Sequence, residues 1–290
     1  MDFLQPRSFP EALQAKAERP EALPIAGGTD VMVELNFDRG RPAAVLDLTR
    51  IPELAAWDRD DGRLRVGAAV TYARAIAELA GPLPGLAIAA RTVGSPQIRN
   101  RGTVGGNLGS ASPAGDCHPP LLATGAEVEV ASAAGSRRIP VGEFFTGPKR
   151  SALRDDELIA AVHVPAAAGP QQFAKIGTRN AMVIAVCSFA LALDPERGRV
   201  GTGIGSAGPT PLRAVQAEWF LQGVLGEEGL WASRAPLADA VAARFGELAG
   251  QAARPIDDVR GTAAYRVHAL GVLARRTLAW AWDQYRNGRT

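Results

Sequence analysis

Two segments concentrate the residues best suited to holding an anionic ligand. Pro24-Ile-Ala-Gly-Gly-Thr-Asp-Val-Met-Val33 and Thr103-Val-Gly-Gly-Asn-Leu-Gly-Ser-Ala-Ser-Pro-Ala-Gly-Asp116 each set adjacent glycines beside Thr, Asn, Ser or Asp. Bare glycine lets backbone N–H groups approach a diphosphate, while short polar side chains hydrogen-bond phosphate and sugar. In the first segment the apolar run Leu23 to Ala26 reads as a strand. Gly27-Gly28-Thr29-Asp30 reads as a phosphate-cradling turn, and the apolar pattern resumes at Val31, Met32, Val33 and Leu35. The second segment holds Gly105, Gly106, Gly109 and Gly115, with Gly102 just ahead, and almost no apolar bulk. Ordered glycine costs conformational entropy, so such a run is better explained by a ligand that orders it than by packing. Together the two segments suggest a flavin.

Chemistry assigns the roles. Ala26 to Val31 should wrap the diphosphate, with the N–H groups of Gly27, Gly28, Thr29 and Asp30 as donors and the Thr29 hydroxyl adding another. Thr103, Gly105, Gly106, Asn107 and Ser110 should form the facing wall. Asp116 is acceptor-only when ionised, which suits ribityl or ribose hydroxyls better than phosphate.

Other constellations lead nowhere. Gly203-Ile-Gly-Ser-Ala-Gly208 fits a dinucleotide fingerprint, but Pro209 and Pro211 follow where a helix should open, so a strand ending in a turn is expected. His118, His163 and His268 share no ligand spacing, and Cys117 and Cys187 show no CxxC pairing, so neither a metal site nor an iron-sulfur cluster is expected in this chain. No residue is assigned as catalytic. The 290 residues are 47% hydrophobic and 21% charged, enough for a buried core. A net charge of +2 and 6% aromatics, without a basic stripe, argue against nucleic acid. No apolar run approaches a membrane span and no leader opens the chain, so a cytoplasmic location without membrane insertion is expected.

Four further stretches, Gln97-Ile-Arg-Asn-Arg101, Phe173-Ala-Lys-Ile-Gly-Thr-Arg179, Ala207-Gly-Pro-Thr-Pro-Leu-Arg213 and Asp258-Val-Arg-Gly-Thr-Ala-Ala-Tyr-Arg266, follow in order. With the two glycine segments, they make the chain resemble the FAD-binding medium subunit of molybdenum hydroxylases, the group that includes xanthine dehydrogenase and carbon monoxide dehydrogenase. The resemblance spans nearly the whole chain. It implies FAD here, the molybdenum cofactor on a large partner subunit, and two [2Fe-2S] clusters on a small one. It also implies a dimer of heterotrimers, with NAD or another acceptor at the flavin. Asp116 matches a position that contacts the sugar-alcohol chain. Val93, Ile98 and Ile159 match apolar positions lining the isoalloxazine or adenine, and Lys175 matches a lysine near the ring. Ile25 and Gly102, at the margins of the glycine segments, complete the expected cofactor-binding set. Gly28-Thr29-Asp30 resembles the xanthine dehydrogenase type more than the carbon monoxide dehydrogenase type, so a purine is the expected substrate of the assembly. An aldehyde or carbon monoxide dehydrogenase subunit, a self-sufficient FAD oxidase of the same fold and a flavin-free structural subunit are the alternatives. Many relatives place an acidic residue shortly after Lys175 and Arg179, where this chain has Ala181-Met-Val183.

These residues need elements to position them. Ser8 can cap a helix through Ala17 with Glu11 completing a capping box, and strands are expected near 23–26 and 44–48. Further strands are expected at Leu64 to Val66, Val128 to Ala131 and Leu158 to Val164, with helices at Tyr72 to about Ala80 and Leu86 to Thr92. Pro165-Ala-Ala-Ala-Gly-Pro170 reads as a linker. Beyond it, strands at Gln172 to Ile176, Ala185 to Leu193 and Val200 to Ile204 precede helices near 213–222, 237–247 and 262–285, the last with Trp280 and Trp282 as packing residues. The expected fold is α+β. A two-part FAD-binding domain over 1–168, akin to that of vanillyl-alcohol oxidase (PCMH type), divides at about residue 55. An α+β domain over 171–290 follows, with a small antiparallel sheet and helices.

Overall fold

The structure, a computed structural model, describes residues 1–288. It opens with β1 (Asp2–Leu4), α1 (Phe9–Glu18), β2 (Leu23–Ile25), α2 (Val31–Asn36), β3 (Ala44–Asp47) and the single turn α3 (Pro52–Ala55). Ser8 caps α1 by accepting from the Glu11 N–H, while the Glu11 carboxylate reaches the Arg7 N–H at 2.8 Å, one residue before the position a capping box requires. The strands form a parallel sheet, β1-β3-β2, and central β3 is buried along its whole length.

The next elements are β4 (Trp57–Asp60), β5 (Arg63–Gly67), α4 (Tyr72–Glu78), α5 (Pro84–Thr92), α6 (Pro96–Arg101), α7 (Val104–Ser110) and α8 (His118–Thr124). They are followed by β6 (Glu127–Ser132), β7 (Gly135–Pro140), α9 (Val141–Phe144), β8 (Phe145–Gly147), β9 (Arg150–Ser151) and β10 (Leu158–Pro165). An antiparallel sheet runs β4-β5-β10-β6-β7. Period-two alternation sends Leu64, Val66, Val128, Val162 and Val164 into the core. Its other face carries an ionic ladder in which Arg65 and His163 meet Glu129 at 2.9 and 2.6 Å.

The last elements are β11 (Gln171–Ile176), β12 (Cys187–Asp194), β13 (Arg199–Gly205), α10 (Val215–Glu227), α11 (Leu230–Ser233), α12 (Asp239–Gln251) and α13 (Ala263–Arg286). The antiparallel sheet β11-β12-β13 is covered on both faces. Cys187, Phe189, Leu191 and Leu193 join a core with α10, α12 and α13, where Phe189 meets Phe245 edge-on. Phe173 and Ala190 turn the other way, into the core of the preceding sheets. On that face β13 presents Gly201, Gly203 and Gly205, and α8 lies directly on them. A Cβ at Gly201 would stand 1.9 Å from the Ala123 carbonyl oxygen, and one at Gly203 would stand 2.0 Å from that of Pro119. Gly203 and Gly205 of the rejected fingerprint therefore serve helix-on-sheet contact, and the strand ends in a turn as expected.

Several expectations need correction. The second glycine segment is not a bare loop, because Val104–Ser110 is helical and buries Val104, Gly105 and Leu108. Within one turn the spacing sends Val104 and Leu108 inward and leaves Gly106 and Gly109 exposed. Helix α2 follows the first turn at once, and β1, α6 and α8 lie in stretches read without structure. Trp282 is buried, but Trp280 is 47% exposed and is no packing residue.

Candidate cofactor site

The first glycine segment touches the residues just ahead of the second. A Cβ at Gly27 would lie 1.9 Å from the Arg101 carbonyl oxygen and 3.0 Å from the Gly102 Cα, so glycine is required where the turn after β2 meets the end of α6. Gly28 has φ +75, a left-handed conformation open to glycine at little cost. Ile25 folds its side chain against Gly28, and Val31 opens α2. Gly27, Gly28, Thr29 and Asp30 donate no backbone hydrogen bond within the described residues. Four consecutive N–H groups are thus left for a ligand, a donor set that fits a diphosphate. Beside them a cavity of about 130 Å³ is lined by Ala26, Gly27, Thr71, Asn100, Arg101 and Thr103, among others. Asn100, Arg101 and Thr71 were not assigned to the site, although Asn100 and Arg101 lie in the Gln97–Arg101 stretch that carries part of the resemblance.

The second segment offers space more than donors. Thr103 caps α7 by accepting from the Gly106 N–H at 2.9 Å, and the Gly105 N–H donates to the Ala68 carbonyl. Gly105 is closed in by Ala68, but a Cβ at Gly106 would meet only the Thr103 hydroxyl. The Ser110 hydroxyl turns back to the Asn107 carbonyl at 3.0 Å. Asn107 Oδ1 and Asp116 Oδ1 are buried acceptors without a partner among the described residues. Such atoms are costly unless something donates to them, and sugar hydroxyls would do so.

Asp116 is anchored through its other oxygen. Oδ2 accepts from Lys175 Nζ at 2.5 Å and from the Thr92 hydroxyl at 3.1 Å. Burial pushes the Asp116 pKa up, and the Lys175 ammonium opposes it. Lys175 also donates to the carbonyls of Thr92 and Val183. With a side chain 10% exposed, it is a buried tie between β11 and the end of α5, not a solvated strand-edge lysine. Its partner is out of sight in sequence, and Thr92 was likewise missed. Arg179, whose acidic neighbour is replaced here, instead holds the Met182 carbonyl.

The apolar candidates divide. Val93 ends α5 and Ile98 packs over Gly94, leaving Ile98 37% exposed beside the site. Ile159 is buried in the core beneath Gly109. His118 is fully buried, its ring against Phe145 and its Nε2 on the Asn107 carbonyl at 3.0 Å. Burial lowers its pKa to about 4, so it is neutral and buttresses α7.

Residues 1–167 match the family described as the FAD binding domain in molybdopterin dehydrogenase. The chain belongs to that family. Residues 172–281 match the CO dehydrogenase flavoprotein C-terminal domain. The xanthine dehydrogenase FAD-binding subunit of Escherichia coli O157:H7 is 30% identical over 284 residues, 93% of this chain and 92% of that one. The nicotinate dehydrogenase FAD-subunit of Eubacterium barkeri is 33% identical over 236 residues, 77% and 79% of the two chains. A chain of quinoline 2-oxidoreductase from Pseudomonas putida 86 superposes with a TM-score of 0.89 at 26% identity, covering 99% and 98%. The protein is an FAD-binding oxidoreductase subunit of α+β fold, and its relatives are subunits of dehydrogenases acting on chemically different substrates.

Proposed function

We infer that this chain is the electron-transfer subunit of a molybdenum hydroxylase, delivering to an external acceptor electrons that arrive from [2Fe-2S] clusters on a small partner. Substrate oxidation would belong to the molybdenum cofactor of a large partner. FAD, when bound, converts one-electron arrivals into two-electron delivery. The single observation that carries this reading is the set of groups on the two glycine segments left unpaired among the described residues: four N–H donors on Gly27 to Asp30 and two buried acceptors on Asn107 and Asp116.

The chain's own residues bind and orient. The turn Ala26–Val31 would hold the diphosphate with the bare faces of Gly106 and Gly109, Asp116 would take a ribityl hydroxyl, and Lys175 would supply a cation for the ring. Val93, Ile98 and, from below, Ile159 give the apolar surroundings. Separate matches over 1–167 and 172–281 support two domains, 1–168 and 171–290. A purine substrate for the assembly draws support from Gly28-Thr29-Asp30 and the xanthine dehydrogenase relative. NAD or another acceptor at the flavin, a dimer of heterotrimers and a cytoplasmic location complete the reading. Affinity purification of the tagged chain from its native cells tests it. A molybdenum-containing chain and an iron-sulfur chain should co-purify in equal amounts, and a chain that purifies alone with full turnover of xanthine would refute the relay.

A further inference from the structure

Tyr72 opens α4 immediately after Thr71, which caps that helix. Its N–H donates to the Gly102 carbonyl at 3.0 Å, and its ring lies against Gly102, where a Cβ would stand 2.9 Å from Cε2. Gly102 separates Arg101, whose carbonyl carries Gly27, from Thr103, which caps α7. The ring therefore lies under the point where the two glycine segments meet, and the absence of a side chain at Gly102 serves this ring. Tyr72 is only 4% exposed, yet its hydroxyl makes no hydrogen bond among the described residues and is not among the sealed unpartnered atoms. An accessible, unpartnered hydroxyl on an otherwise buried ring needs an explanation, because buried tyrosines ordinarily find a partner.

The surroundings say what kind of partner fits. Burial holds the phenol pKa well above its usual value, and the charges of Cys117, Asp116 and Asp30 add to the effect. Asp30 lies in the first glycine segment and Asp116 at the end of the second, so the phenol feels carboxylates from both. It stays protonated at neutral pH and is available as a donor.

We propose that Tyr72 is a further cofactor-binding residue, its hydroxyl donating to an oxygen of the chain that joins the two ring systems of FAD, either diphosphate or ribityl. The inference rests on the FAD reading above. Tyr72→Phe keeps the ring on Gly102 and removes only the oxygen. In a fluorescence titration of the apo chain, the variant should bind FAD about tenfold more weakly than wild type while melting at the same temperature without cofactor. A parallel ADP titration locates the acceptor, since a matching loss for ADP points to the diphosphate and a loss for FAD alone to the ribityl chain. The chain has three tyrosines, so ζ-13C-tyrosine labelling of the wild type gives a second readout in which FAD should shift the Tyr72 signal. Equal FAD affinity with an unmoved signal overturns the role of Tyr72 and leaves the FAD reading standing. A wild-type chain that takes up no FAD overturns that reading instead.

Discussion

Gly27 rests on the Arg101 carbonyl so closely that a single methyl group would lie 1.9 Å from the oxygen. This contact joins the turn after β2 to α6, and α6 runs directly into the residues that cap α7. The geometry of the site is therefore built into the fold before any ligand arrives.

The two sets of glycines should respond differently to added bulk. Gly27→Ala forces backbone apart and should destabilise the apo protein by about 1–3 kcal/mol, as overpacking does. Gly106→Val meets no backbone but presses on the Thr103 hydroxyl at 2.9 Å and disturbs the cap of α7, so it should cost the apo protein only about 1 kcal/mol while yielding a colourless protein. Urea unfolding and flavin absorbance measure the two effects separately. Full flavin content in Gly106→Val would remove Gly106 from the diphosphate wall.

Lys175 and Asp116 form a pair whose side chains are 10% and 8% exposed. Lys175→Met leaves a buried carboxylate alone and should cost about 3 kcal/mol at pH 7. Burial already raises the folded-state pKa of Asp116, and losing the ammonium raises it further. A carboxyl with a folded pKa above the unfolded value of about 3.9 is fully tolerated below that value and increasingly penalised as pH rises through the folded one. The defect should therefore shrink toward pH 4, and Lys175→Met/Asp116→Asn should recover part of it. A pH-independent defect would mean that Asp116 is not the group left behind. With FAD bound, loss of the cation should lower the flavin midpoint potential by tens of millivolts, on the order of 1 to 3 kcal/mol.

His118 supplies a second pH dependence of opposite sign. Its folded pKa is about 4 against 6.5 for the free group, so the unfolded chain binds more protons between those values. Stability present above about pH 6.5 should be lost as pH falls toward 4, by about 3 kcal/mol in all. His118→Gln should flatten that part of the profile in thermal melts at stepped pH. An equally steep profile in the variant would assign the dependence elsewhere.

Much of this was legible in the sequence because it is local. The glycine segments, the strand pattern of β5, β6 and β10 and the long helix α13 each follow from residues within one window. What escaped depends on distant residues. A glycine-rich helix such as α7 contradicts propensity and forms because Gly105 seats on Ala68 while Val104 and Leu108 enter the core. Lys175 looks like an exposed strand lysine until the sheet brings it to Asp116, and Gly102 looks like a cofactor glycine until Tyr72 is seen against it. Gly203 and Gly205 mimic part of a nucleotide motif for a reason visible only once α8 lies across them.

The most direct test of the central claim is the flavin content of the purified chain after incubation with FAD and gel filtration. One FAD per chain, retained with a flavin absorbance spectrum and lost in Gly106→Val, is the predicted result. A correctly folded wild-type chain that emerges without flavin would contradict the account.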